Sequence, residues 1–391
     1  MSLACAAAGG VAAARLRLPP LVGYLVAGFI VGPFTPGFVA DAHLAPQLAE
    51  IGVILLMFGV GMHFSLRDLL AVRWVAIPGA MAQIAVATAI TCALTTWWGW
   101  SLAEGIVFGL ALSVASTVVL LRGLEAQGLV SSEEGRIAIG WLIIEDLLMV
   151  LVLVLLPALT QPGDSGGAPL WQTLAITLAK VAGFIALMLV VGTRVFPAIL
   201  RRIEQRCPKE LFTLAVTALA LGVAFGSAEL FGVSFALGAF FAGLVVSESE
   251  VSKRAARDLQ PLQDAFGALF FVAVGMLLDP AIFVREPVRV LLVLAIIVVG
   301  KSAAAATIML LLRQPLRRGL IVSAGLAQVG EFSFILANLG VDLGSLREDG
   351  RRLILAGALL SITLNPLLFA LAMRLDRKGA HPGAEAPPAG P

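Results

Sequence analysis

The chain has 391 residues, 59% hydrophobic and 13% charged, with a formal net charge of +2 and a mean hydropathy of +0.98. Runs of about 20 apolar residues recur along nearly its whole length, which identifies an all-α polytopic membrane protein and leaves no polar stretch long enough for a second globular domain. The small net charge gives no reason to expect nucleic acid as a partner. Cys5, Cys92 and Cys207 lack metal or disulfide-framework spacing, and His43, His63 and His381 sit at loops or span ends without a nucleophile, so no enzyme is expected.

Cutting at polar and Pro/Gly connectors predicts thirteen spans, at 2–14, 18–34, 45–63, 74–98, 102–122, 137–159, 172–198, 211–228, 231–247, 262–279, 288–312, 318–340 and 352–374. The first has no basic stretch before it and reads as a retained helix, although it would rise only about 21 Å against about 30 Å of hydrocarbon. Alternate connectors divide the basic residues 20 to 5, with Lys180 and Lys301 left inside spans. Cytoplasmic loops retain Lys and Arg, so the C-terminus is expected in the cytoplasm and, with thirteen spans, the N-terminus outside. Residues 1–376 then form one transmembrane domain, and "RKGAHPGAEAPPAGP", 377–391, a disordered cytoplasmic tail.

Polar groups at membrane depth are costly and mark function unless they serve packing. In chain order, Glu50 lies near the outer end of span three and reads as interfacial. Span five, "GLALSVASTVVL", gathers Ser113, Ser116 and Thr117 where a plain helix would hold Leu. Span six, "GWLIIEDLLMVLVLVLLPAL", carries Glu145 and Asp146 side by side near mid-membrane. Neighbours on a helix point about 100° apart, so one buried cation cannot satisfy both. A carboxylate in hydrocarbon can hold a proton or, losing it, bind a dehydrated monovalent cation through oxygen. That competition for Asp146, joined to a two-sided conformational change, is sufficient for exchange.

Lys180 reads as structural, and Glu229, Asp264 and Asp279 as span-end residues. Lys301, in span eleven, has two readings: it neutralises Glu145 and leaves Asp146 as the free carrier, or it snorkels from near its helix end. Span twelve, "AGLAQVGEFSFILANLG", places Gln328, Gly330 and Glu331 at its centre, and Asn365-Pro366 predicts a further interruption in span thirteen. Weakened helices at an offset of seven spans fit an inverted-repeat transporter whose site lies where two broken helices meet.

The runs "LAEIGVILLMFGVGMHFSLRDL", "SVASTVVLLRGL", "GWLIIEDLLMVLVLVLLPAL", "FGVSFALGAFFAGLVVSESE" and "AQVGEFSFIL", in this order between about 15 and 374, resemble the membrane domain of Kef-type monovalent cation:proton antiporters of the cation:proton antiporter-2 family, most closely the YbaL branch. The resemblance implies a sodium/proton antiporter (NhaA-like) fold with inverted repeats, two crossing interrupted helices, and dimerisation and core parts interleaved in sequence. It implies that Asp146 carries the ion and the proton, with Glu145 in the place where relatives hold Asp, Asn or Gln. Ser113, Ser116 and Thr117 would form the breakpoint of the first crossing helix, Gln328, Gly330 and Glu331 that of the second, and Lys301 the charge partner of Glu145.

The reading is a homodimeric inner-membrane antiporter exchanging K+ or Na+ for H+, with membrane lipids around it and no cofactor beyond the transported ions. The rival classes are a sodium-coupled organic solute symporter and a passive cation channel. No G-x-G-x-x-G phosphate loop occurs between a strand and a helix, so no nucleotide-binding domain is expected in this chain.

Overall fold

The computed structural model describes residues 2–16, 18–35, 44–63, 66–130, 132–160, 170–232 and 234–379. The chain is a succession of helices: α1 (Ser2–Arg15), α2 (Pro20–Ile30), α3 (Leu44–His63), α4 (Leu66–Trp97), α5 (Leu102–Ser113), α6 (Thr117–Ala126), α7 (Glu133–Thr160), α8 (Leu170–Leu187), α9 (Thr193–Arg206), α10 (Lys209–Phe231), α11 (Phe235–Ser247), α12 (Ser252–Met276), α13 (Ile282–Arg285), α14 (Pro287–Ala295), α15 (Lys301–Leu311), α16 (Leu316–Leu326), α17 (Glu331–Asp342) and α18 (Glu348–Gly379). π-helical turns at Met188–Gly192 and Ile296–Gly300 join α8 to α9 and α14 to α15.

Among the described residues, eight helical stretches are long and apolar enough to cross a membrane, and the α16–α17 pair, bent by 47°, adds a ninth when taken as one span. Four more apolar helices, Leu3–Arg15, Pro20–Ile30, Gln47–Met62 and Phe235–Ser247, are shorter. Helices thus occupy the expected positions in order, and this is a multi-pass membrane protein.

The helices pack in two groups interleaved in sequence. One joins α1, α2, α3, α10, α11 and α12, and the other joins α4 to α7 with α14 to α18. Helix α8 packs with the first group through α10, and α13 with the second through α14 and α18, so contact between the groups is thin, through α7 against α8 and α11, and α18 against α2. Within the first group small residues set the approach of the backbones. A Cβ on Gly243 of α11 would lie 2.0 Å from the Phe58 carbonyl oxygen of α3, so only glycine fits there.

Several helix ends depart from the sequence reading, α4 beginning at Leu66 and α9 running to Arg206, and two departures have a visible cause. α12 begins ten residues before the predicted 262, because its polar first turns are held by ion pairs rather than by lipid. Arg254 reaches Asp258 at 3.4 Å and Glu204 of α9 at 3.2 Å, and Lys209 reaches Asp258 at 3.7 Å. Helix α18 runs unbroken through Pro366, so the predicted interruption at Asn365-Pro366 is absent. Proline there removes one backbone hydrogen bond, which a buried long helix tolerates. The Asn365 amide is used elsewhere, donating to the Ala324 carbonyl at 2.9 Å. The α18 helix reaches Gly379, and the rest of the expected tail, with His43 and His381, lies outside the described residues.

Candidate functional site

The site forms where two helices of the second group unwind against each other. Helix α5 stops at Ser113, residues 114–116 are non-helical with Val114 and Ser116 extended, and Ser116 opens α6 as its N-cap, its hydroxyl accepting from Val119 N–H at 3.3 Å. Helix α16 stops at Leu326, and Gly330, extended at φ −100° and ψ 178°, precedes α17. The breaks touch: Gly330 N–H donates to Val114 C=O at 3.3 Å. A Cβ on Gly330 would lie 2.5 Å from the Ala115 carbonyl oxygen. A larger residue would separate the two breaks.

Unwound backbone away from water needs a partner for every N–H and C=O. Side chains from neighbouring helices supply them. Gln83 of α4 donates to Ser113 C=O at 3.1 Å, and Ser333 of α17 donates to Ala111 C=O. Gln328 bridges the breaks, accepting from Ser116 N–H at 3.0 Å and donating to Ser116 C=O at 3.1 Å.

Lys301 and Glu145, both fully buried, complete the set from opposite sides of one peptide group. Lys301 Nζ donates to Val114 C=O at 3.2 Å and to Gln328 C=O at 2.8 Å, and Ala115 N–H donates to Glu145 Oε2 at 2.8 Å. The peptide between residues 114 and 115 therefore presents its oxygen to the ammonium and its N–H to the carboxylate. Among the described residues no ion pair within 4.0 Å joins Lys301 and Glu145 directly, and at 0% exposure Lys301 does not reach an interface. The π turn immediately before Lys301 widens the helix there. The lysine meets carbonyls at the C-terminal ends of α5 and α16, the negative poles of those half-helices.

Asp146 is 4% exposed, and its Oδ2 accepts from Thr117 Oγ1 at 3.1 Å, at the first residue of α6. Glu331, 2% exposed, is the first residue of α17 and lies against the Ser116 hydroxyl. Each of the three acids keeps one buried oxygen without a hydrogen-bond partner: Glu145 Oε1, Asp146 Oδ1 and Glu331 Oε2. Among the described residues no three His, Cys, Asp or Glu side chains converge as a metal cluster. Free carboxylate oxygens beside the positive ends of two half-helices can exchange a proton for a monovalent cation.

The sequence-predicted residues Ser113, Ser116, Thr117, Glu145, Asp146, Lys301, Gln328, Gly330 and Glu331 lie at or beside this crossing. Ser113 turns its hydroxyl back onto Leu110 C=O at 2.8 Å. The sequence reading passed over Gln83, Ser302 and Ser333, which satisfy carbonyls at or near the breaks. Their signal was present, since each is a polar residue inside an apolar helix. Of the groups set aside, Asp264 lines a cavity of ≈ 260 Å³ with Arg122 and Val119, and Glu50 lines one of ≈ 550 Å³. Lys180 and Glu229 are exposed on the outer surface of the helix bundle.

YbaL of Escherichia coli (strain K12), whose name describes a cation/proton antiporter, is 61% identical over 365 residues, covering 93% of this chain and 65% of its own length. KefC of Enterobacter sp. (strain 638), named a glutathione-regulated potassium-efflux system protein, is 30% identical over 96% of this chain and 60% of its own length. The chain thus spans less than two thirds of either relative. The solved structure of the sodium proton antiporter MjNhaP1 from Methanocaldococcus jannaschii at pH 8 matches with a TM-score of 0.73 at 16% identity, covering 96% of both chains, and so shares the fold. The family described as sodium/hydrogen exchanger, transmembrane, matches residues 1–375, and this chain belongs to it.

Proposed function

We propose that this chain is the membrane unit of a secondary active antiporter that exchanges a monovalent cation, potassium or sodium, for protons by alternating access. The observation that carries the reading is Asp146, buried beside the crossing with one oxygen held by Thr117 and the other free. Deprotonated Asp146 binds the cation with oxygens of Thr117, Ser116 and Ser113, while the opposed half-helix ends balance the charge. Protonation of Asp146 releases it. The thin seam between the two helix groups supports a movement of the site-bearing group against the other.

In this reading all thirteen segments cross the membrane, the two broken helices belong to inverted repeats, and the basic-residue bias puts the C-terminus in the cytoplasm of an inner-membrane homodimer. Glu145 and Lys301 are charge partners acting through the 114–115 peptide. If both stay charged on that peptide through the cycle, one proton moves per cation; if either titrates, two move and flux follows the membrane potential.

Replacing Asp146→Asn and measuring cation-driven proton flux in proteoliposomes tests the proposal, with K+, Na+, Li+ and Rb+ compared in one preparation. Loss of flux with every ion is expected. Undiminished flux refutes the mechanism.

A further inference from the structure

Between the two helix groups lies a cavity of ≈ 550 Å³, walled by α3, α7, α11, α12 and α17. Its lining is largely apolar, with Phe235 and Leu153 among it, but four polar residues belong to it: Glu50 of α3, Ser234 at the N-cap of α11, and Asn338 and Asp342 of α17. Asp342 closes α17, and the connector that follows, with Arg347, belongs to the side of the membrane poor in basic residues.

Helix α17 links this cavity to the crossing. Glu331, Ile335, Asn338 and Asp342 follow one another by four, three and four residues, which places them on one helix face. Asp342 lies about 16 Å from Glu331 at 1.5 Å per residue, and Ile335, at the cavity wall, only about 6 Å. The alternative way in, along α7, offers no polar side chain between the wall and Asp146. Leu153 at the wall is about 10 Å from Asp146, and buried Met149 and Val150 fill the turns between them. Entering from the cavity, a cation therefore meets the Glu331 carboxylate before that of Asp146. Glu331 is 2% exposed and its Oε2 has no hydrogen-bond partner, although a buried carboxylate oxygen is costly to leave unpaired.

We propose that Glu331 is a second carboxylate station for the monovalent cation and the counter-moving proton, standing between this cavity and Asp146 and setting the affinity for the cation loaded from the cavity side. The proposal rests on the antiporter reading above. The cation passes from the Asn338 side-chain oxygen to Glu331 Oε2 and on to Asp146 Oδ1. Each carboxylate gives up a proton as the cation arrives and regains one as it leaves, so charge and atoms balance at every step.

Right-side-out and everted membrane vesicles separate the two faces. In Glu331→Gln, the KM for K+ or Na+ loaded from the cavity side rises about tenfold or more, the weight of one charged oxygen ligand, while the KM from the other side stays within about twofold. Glu331→Asp recovers part of the loss. A role confined to helix packing would lower the amount of protein in the membrane, or shift both faces alike. A shift of both faces alike, or an unchanged KM on both faces, overturns the proposal. Should Glu331→Gln fail to insert, Asn338→Leu, distant from the crossing, is expected to raise the KM about threefold on the same face, and no change there overturns it. Asp146→Asn in the same vesicles distinguishes the two levels, because retained flux refutes the antiporter mechanism itself and lost flux leaves the sided KM to decide the role of Glu331.

Discussion

Lys301→Met removes the ammonium that holds both breaks while keeping most of the side-chain volume. In the wild-type protein Nζ donates at 3.2 Å to Val114 C=O and at 2.8 Å to Gln328 C=O, and the peptide it polarises holds Glu145. Two charge-assisted hydrogen bonds are worth about 1.5–3 kcal/mol each, and a buried charge that loses its compensation costs about 3–5 kcal/mol. These effects overlap, since the same ammonium serves both, so about 3–5 kcal/mol is expected for the single variant. Adding Glu145→Gln removes the stranded carboxylate and keeps an acceptor for Ala115 N–H, so the double variant is expected to regain about 1–2 kcal/mol. Unfolding in mild detergent of the wild type, Lys301→Met, Glu145→Gln and the double variant completes the cycle. If Lys301→Met is as stable as the wild type, or if the two substitutions add without coupling, the peptide between 114 and 115 does not join these charges and the account of the crossing is wrong.

Gly330→Ala puts a methyl group 2.5 Å from the Ala115 carbonyl oxygen, with backbone on both sides, so the breaks must part. A loss of about 1–3 kcal/mol is expected, read as a lower melting temperature together with lost flux. Gln328→Leu strands the N–H of Ser116, while its C=O keeps the Leu120 N–H at 3.1 Å, so a loss of about 1–3 kcal/mol for the one buried orphan should appear in the same assay. At the polar start of α12, the Asp258 side chain, 3% exposed, receives Lys209, Arg254 and Arg257. Asp258→Asn is expected to cost about 1–3 kcal/mol without touching ion exchange, which a comparison of melting temperature with proteoliposome flux checks.

Hydropathy and the spacing of polar residues located the long apolar helices in order and led to the family. That is because lipid demands an apolar surface and satisfied backbone of each span, and both demands are local in the sequence. Where helices end against protein rather than lipid, the local signal misleads. The charges of "SKRAARDLQ" look like a loop, yet they start α12 because Glu204 and Lys209 lie across from them. Asn365-Pro366 looks like a break, yet α18 passes straight through and spends the asparagine on the end of α16. At the site, "SVAST", "IIED", "GKS" and "QVGEF" already contain the polar groups. How those groups are joined was not legible. In sequence terms Lys301 and Glu145 are two opposite charges, open to direct pairing or to none. Only the tertiary structure sets them on the oxygen and the N–H of one peptide, because that arrangement depends on α7, α15 and two unwound segments far apart in the chain arriving together. The sequence determined which groups must be buried at a cost. The fold decided which backbone groups compensate them, since hydrogen bonding is directional and depends on positions that periodicity does not encode.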